Sequence, residues 1–185
     1  MNLDNKQFMG IGKSLRGALG MLLVAFLISH FSFLISSCTS IDCPVKNMVI
    51  TNYALMKASD QPDTLNTDTL WIWSKRVDGS DTLLLNALCG TTATKFSLQI
   101  SYAEPEDVYY TLLADTSGQE WLDTFRIKKE NYPHFESVDC KATYFHDLMA
   151  TATTHHAIDS ITIHHKRVDY EVSPTHLYIY LKAKR

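Results

Sequence analysis

Phe96-Ser97-Leu98-Gln99-Ile100-Ser101-Tyr102 alternates large apolar side chains with small or polar ones without a break. That period of two puts Phe96, Leu98, Ile100 and Tyr102 on one face of an extended strand, whereas a helix would scatter them around its circumference. Leu177, Ile179 and Leu181 repeat the pattern against Tyr178 and Tyr180. Trp121, Phe125 and Ile127 share a parity with Asp123 between them, and Ile161 and Ile163 follow the same rule. Each run reads as a strand with one buried face.

Turn chemistry separates these runs at VDGSD (77–81), LCGTT (88–92), AEPED (103–107), DTSGQ (115–119), NYP (131–133) and SPT (173–175). Strands are predicted near 47–57, 68–76, 82–88, 94–102, 107–114, 120–129, 143–153, 158–166 and 175–183. Their short, regular spacing and the lack of a long amphipathic helix predict an all-β chain. The expected form is a single antiparallel β-sandwich, immunoglobulin-like or related, of about eight to ten strands. An open sheet with a short helix near 143–150 is the competing reading, because FHDLMA does not alternate strictly.

The first 37 residues differ in kind from the rest. Four of the seven glycines fall there, and Lys6, Lys13 and Arg16 are balanced by Asp4 alone. An apolar run from Ala18 to Ile35 follows, then Ser36, Ser37 and Cys38. This is the layout of an export signal. An uncleaved membrane helix is the alternative, weakened by Ser29, His30 and Ser32 within the run. Ile35-Ser36-Ser37-Cys38 resembles the lipobox of bacterial lipoproteins. The resemblance implies a diacylglyceryl thioether at Cys38, cleavage before it and acylation of the new amino group. The expected domains are therefore a signal peptide over 1–37, a lipidated tether over 38–46 and a folded body over 47–185. Each buried CH₂ of such an anchor contributes about 0.8 kcal/mol, so two or three chains hold the protein on a membrane without a basic patch.

Without the signal, 148 residues carry 14 Lys and Arg against 19 Asp and Glu, a formal net charge of −5. An acidic chain with no basic cluster excludes phosphate-backbone binding, and nucleic acid is not an expected partner. Cys43, Cys89 and Cys140 remain once Cys38 carries lipid. An oxidising compartment allows one pair, and spacing does not fix which. Cys43 with Cys140 is favoured because it ties the first segment to a late one. Cys89, beside Gly90 at a turn, is then the free thiol.

HFESVDC (134–140), FH (145–146), HHAIDSITI (155–163), HLYIYLK (176–182) and DCP (42–44) together resemble a family of small Bacteroidetes envelope lipoproteins with an all-β body. The resemblance implies an exported, lipid-anchored protein and carries over no catalytic residue. Such bacteria attach glycans at Asp-Ser/Thr followed by a small or aliphatic residue. Thr64, Thr69, Thr82 and Ser160 stand in that context, four sites where chance predicts about one. Asp-Thr-Leu is also what a turn leading into a strand looks like.

No chemical site stands out. Adjacent strand residues point to opposite faces, so neither His155–His156 nor His164–His165 chelates as a pair. A metal site would need one member of each joined by His146 or His134 and by Asp147 or Asp159, and none is expected. Asp60, Asp63 and Asp68 lack the glycine and terminal glutamate of a calcium loop. Glu104, Glu106 and Asp107 bracket Pro105 in a turn and read as solubilising. Nucleophile-elbow, Cys-His and phosphate-loop motifs are absent, and no cofactor is expected. Trp71 and Trp73 share a face opposite Leu70 and Ile72. They read as core, with an exposed aromatic platform as the alternative.

The sequence therefore predicts a lipid-anchored envelope protein, facing the periplasm from the outer membrane, that acts by non-catalytic binding or assembly with an envelope protein partner. A small-ligand or glycan binder using Trp71 and Trp73 is the second reading, and a hydrolase the third.

Overall fold

A computed structural model describes Met21, Phe26, Cys43 and residues 49–183. The expected signal peptide over 1–37, Met21 and Phe26 excepted, and the expected lipidation site Cys38 and tether up to residue 46, Cys43 excepted, lie outside the described residues. The chain divides into two compact units, Met1–Asp42 and Cys43–Arg185. Of the first, Met21 and Phe26 are described, both helical and exposed. Among the described residues no helix is long and apolar enough to cross a membrane.

The second unit is all-β. Its strands are β1 (Ile50–Met56), β2 (Asn66–Lys75), β3 (Asp81–Gly90), β4 (Lys95–Gln99), β5 (Glu106–Ala114), β6 (Glu120–His134), β7 (Thr143–Thr153), β8 (Ile158–Ile163), β9 (Arg167–Val168) and β10 (Leu177–Leu181). They form a four-stranded sheet in the order β4-β1-β10-β8 and a six-stranded sheet in the order β3-β2-β5-β6-β7-β9. Alternation decides what each strand buries: in β5 every second residue is buried, and in β4 Phe96 and Leu98 point in while Lys95, Ser97 and Gln99 point out. The inner faces share one core, to which the smaller sheet gives Tyr53, Leu98, Leu177 and Ile179 and the larger one Ile72, Phe125, Ile127 and Leu148. Tyr53 packs on Phe96 at 4.9 Å and meets Phe125 edge-on at 6.2 Å, joining the sheets through aromatic contact.

Three expectations need correction. The sheets are not wholly antiparallel, because β1 pairs in parallel with β10, Tyr53 opposite Leu177. A parallel pair needs a long crossover, and nearly the whole domain supplies it here. The predicted turn at 131–133 is strand: β6 continues to His134 and pairs with β7 through Pro133 opposite Tyr144. β5 runs out opposite Lys128, so beyond Lys129 one side of β6 has no strand partner and the missing N–H of Pro133 costs no ladder bond. The short helix considered near 143–150 is β7 throughout.

Cys43 and Cys140 form a disulfide spanning 97 residues, and Cys89 is a free, exposed cysteine. A bridge closing so long a loop is typically worth about 2–4 kcal/mol.

Candidate functional site

The two faces of the six-stranded sheet do not follow the usual rule of apolar inside and polar outside. On the outer face, Trp73 lies opposite Leu83 of β3 and Tyr110 of β5, and Trp71 lies opposite Leu112, which is itself opposite Leu122 of β6. These residues form two apolar rows across four strands. Leu83 and Leu122 are more than half exposed, at 54% and 55%, while Trp71, Trp73, Tyr110 and Leu112 are half-buried. The next rows carry charge, with Lys75 paired to Asp81 at 2.9 Å and Arg126 to Glu106 at 3.2 Å. An apolar centre with a charged margin has the anatomy of a contact surface.

Trp71 and Trp73 are therefore not core, because Leu70 and Ile72 take the inner side of β2. Their geometry also limits what they bind. Trp73 and Tyr110 stack on one another, with centroids 6.0 Å apart and planes 19° apart, and the Lys75 ammonium lies 5.7 Å from the Tyr110 ring. Each ring thus spends a face on its neighbour, where a sugar platform would leave that face free.

The inner face carries ions. Lys129 is fully buried and pairs with Asp107 at 3.0 Å, while its ammonium also donates to the Glu104 carbonyl at 2.6 Å. Burial raises the Asp107 pKa above its ordinary value, although the Lys129 charge pulls against it. Asp107 is thus a buried group, and the solubilising turn expected at 104–107 is partly structural. Beside it, burial and then the Asp107 charge push the Tyr53 phenol well up, and burial, then Tyr53 and Asp107, do the same to Tyr109.

Asp123, on the same face, clamps the β7–β8 connection. One carboxylate oxygen accepts from the Thr154 hydroxyl and the His156 N–H, both at 2.7 Å, and the other from the N–H groups of Ala157 (2.7 Å) and Ile158 (2.9 Å). Burial alone would raise its pKa, but these donors outweigh burial and hold it below its ordinary value. His155, between two of these donors, sits in the left-handed region at a φ of 62°.

The histidines serve separate purposes. His155 Nδ1 contacts the Asp159 carbonyl, His134 meets Glu136, His164 stacks on Tyr178 and His165 lies edge-on to His176. His146 bonds Asn131 across the strand pair. His176 is wholly buried and its Nδ1 accepts from the Asn52 N–H; burial first, then the nearby His165, lowers its pKa. Among the described residues no three His, Cys, Asp or Glu side chains gather as a metal-binding group. Thr64, Thr69, Thr82 and Ser160 are all half-buried, and the Thr82 hydroxyl accepts from Arg76 Nε at 2.6 Å.

Tyr110, Leu112, Leu122 and Leu83 escaped the sequence reading, although Tyr110 and Leu112 sit at the outward parity of a strand predicted over 107–114. What places them beside the tryptophans is the register of β2 with β3 and β5 and of β5 with β6, which no local pattern states. The described residues thus define a two-sheet all-β domain with an apolar, charge-rimmed outer face. The chain belongs to DUF6452, a family of unknown function whose model matches residues 69–181. That match runs from Thr69 in β2 to the end of β10 and takes in Trp71, Trp73 and Cys140. No curated protein and no solved structure matches the chain.

Proposed function

We propose that this protein is an exported, lipid-anchored envelope protein that works as a non-catalytic binding or assembly module. Its contact surface is the outer face of the six-stranded sheet, and its partner is another envelope protein. The observation that carries the reading is the pair of apolar rows Leu83–Trp73–Tyr110 and Trp71–Leu112–Leu122. Protein is favoured over glycan because three leucines accompany the aromatics and because Trp73 and Tyr110 stack on each other. The body is read as an immunoglobulin-like sandwich, supported by two sheets around one core, though with four and six strands.

Export and anchoring are supported by the signal-like sequence ending at Cys38 and by the Cys43–Cys140 disulfide, which suits an oxidising compartment facing the periplasm. Non-catalytic action is supported by the employment of the buried ionisable groups: Asp107 pairs with Lys129, and Asp123 holds a loop. Glycans at Thr64, Thr69, Thr82 and Ser160 belong to the same reading and predict an intact mass above that of the lipidated chain.

The experiment is a crosslinked pull-down from native membranes, comparing the natural chain with Cys38→Ala and Leu122→Asp. Cys38→Ala should leave the membrane fraction. Leu122→Asp should stay there and lose its crosslinked partner. An anchored Leu122→Asp chain with an undiminished partner band would defeat the assignment of the face.

A further inference from the structure

A cleft of about 240 Å³ opens between Val49, the segment after β4 and the start of β7. Tyr102 and Tyr144 form one wall, with ring centroids 5.5 Å apart and planes 27° apart. Val49 and Ile100 add apolar surface, Lys141 contributes a cation and His146 lines the interior. A space of that order, open to solvent on one side, admits one substituted ring.

The protonation state of His146 follows from its neighbours. Asn131 Nδ2 donates to the carbonyls of Tyr102 at 3.2 Å and Glu104 at 3.0 Å, which fixes the amide orientation and leaves Oδ1 as an acceptor. His146 Nδ1 lies 2.7 Å from that oxygen and must carry the proton. In the neutral ring Nε2 then presents a lone pair. His146 is 1% exposed and makes no second hydrogen bond among the described residues. The ring lines the cleft, and Nε2 is the ring nitrogen left without a hydrogen-bond partner among the described residues. Burial, with the charges of Lys129 and Arg167, keeps the ring neutral, its pKa lowered to about 4. Lys141 forms no ion pair among the described residues.

We propose that this cleft binds a small planar-ring compound that donates an O–H or N–H to His146 Nε2 and turns an anionic group toward Lys141. The donor is required because a neutral imidazole already donating from Nδ1 offers only an acceptor. The ring is favoured because Tyr102, Tyr144, Val49 and Ile100 together give it aromatic and aliphatic surface to pack against. The site is separate from the outer face of the sheet and stands or falls without it.

The test uses the full chain in lipid nanodiscs, ¹⁵N-labelled at histidine, titrated with 4-hydroxybenzoate, 4-methoxybenzoate and phenol. Saturable binding of 4-hydroxybenzoate should move the His146 Nε2 resonance. Methylating the phenol removes the donor while keeping ring and carboxylate, so 4-methoxybenzoate should bind about five- to tenfold more weakly. Lys141→Gln should weaken 4-hydroxybenzoate severalfold and leave phenol unchanged. Because the ligands carry the main comparison, no core variant has to fold. Equal affinity for the hydroxy and methoxy compounds, a shift confined to other histidines, or no saturation by 4-hydroxybenzoate would each overturn the proposal.

Discussion

The inner face of the six-stranded sheet holds Asp107, Asp123, Lys129 and His146, whereas its outer face holds Trp71, Trp73, Tyr110, Leu112 and Leu122. Both faces break the ordinary pattern, but differently. Inside, the buried charges have named partners, Lys129 for Asp107 and four donors for Asp123, and Asn131 holds Nδ1 of His146. Outside, the apolar groups touch one another and then water. A polar group inside with its partners present is explained by the fold, and an apolar row outside is not explained until something covers it. Substitutions should therefore cost stability on the inner face and association on the outer one.

The largest loss should come from Asp123→Ala. It leaves the N–H groups of Ala157 and Ile158 unpaired in the interior, and at about 1–3 kcal/mol for each such group the expected cost is about 4 kcal/mol by urea denaturation. Asp123→Asn, which keeps an acceptor oxygen, should recover about half of that.

Lys129→Met should come next, at about 3–4 kcal/mol, because it strands the Asp107 carboxylate without its cation. Adding Asp107→Leu in the same chain should return most of that loss, since a buried ion pair replaced on both sides is often nearly neutral. If the double variant proves no more stable than Lys129→Met, the pair does not act as a unit.

A pH series separates His146 from its neighbours. Its pKa is lowered from 6.5 to about 4, so between those values the folded state binds fewer protons than the unfolded chain. Stability is then full above pH 6.5 and declines as pH falls toward 4, by at most about 3 kcal/mol. His176 adds a slope of the same sign. Asp107, whose pKa is raised, works the other way, gaining as pH falls. Replacing His146 with Phe should flatten, without abolishing, the dependence of the urea midpoint on pH between 7 and 4.5.

How much of this the sequence disclosed depends on how local each signal is. The alternation at Leu177–Leu181 marked β10 and that at Phe96–Leu98 marked β4, although β4 ends at Gln99 and Tyr102 lies exposed beyond it. DTSGQ marked a turn whose Asp115 carboxylate accepts from the N–H groups of Ser117 and Gln119. The parity of Asp123 with Phe125 and Ile127 already put it on the buried face, but its donors arrive from more than thirty residues away. The parallel β1–β10 pair has no local signature at all. Reading NYP as a turn had a further consequence: ending β6 at 129 concealed the register that sets Asn131 opposite His146, and with it the tautomer of that histidine. The sequence alone reads Trp71 and Trp73 as core because hydrophobicity carries no direction. Only the burial of Leu70 and Ile72 settles which side of β2 faces in.

On the outer face, Leu122→Asp should shift stability by no more than about 0.5 kcal/mol, the smallest effect of the series. The central claim is that this face is where a partner sits, and its most direct measurement is photocrosslinking in intact cells from single positions. Probes at Leu83 and Leu122 lie on the apolar rows, and a probe at Tyr178 lies on the outer side of the four-stranded sheet. The account predicts the same discrete crosslinked protein from positions 83 and 122 and none from 178; equal crosslinking from all three, or none from 83 and 122, would contradict it.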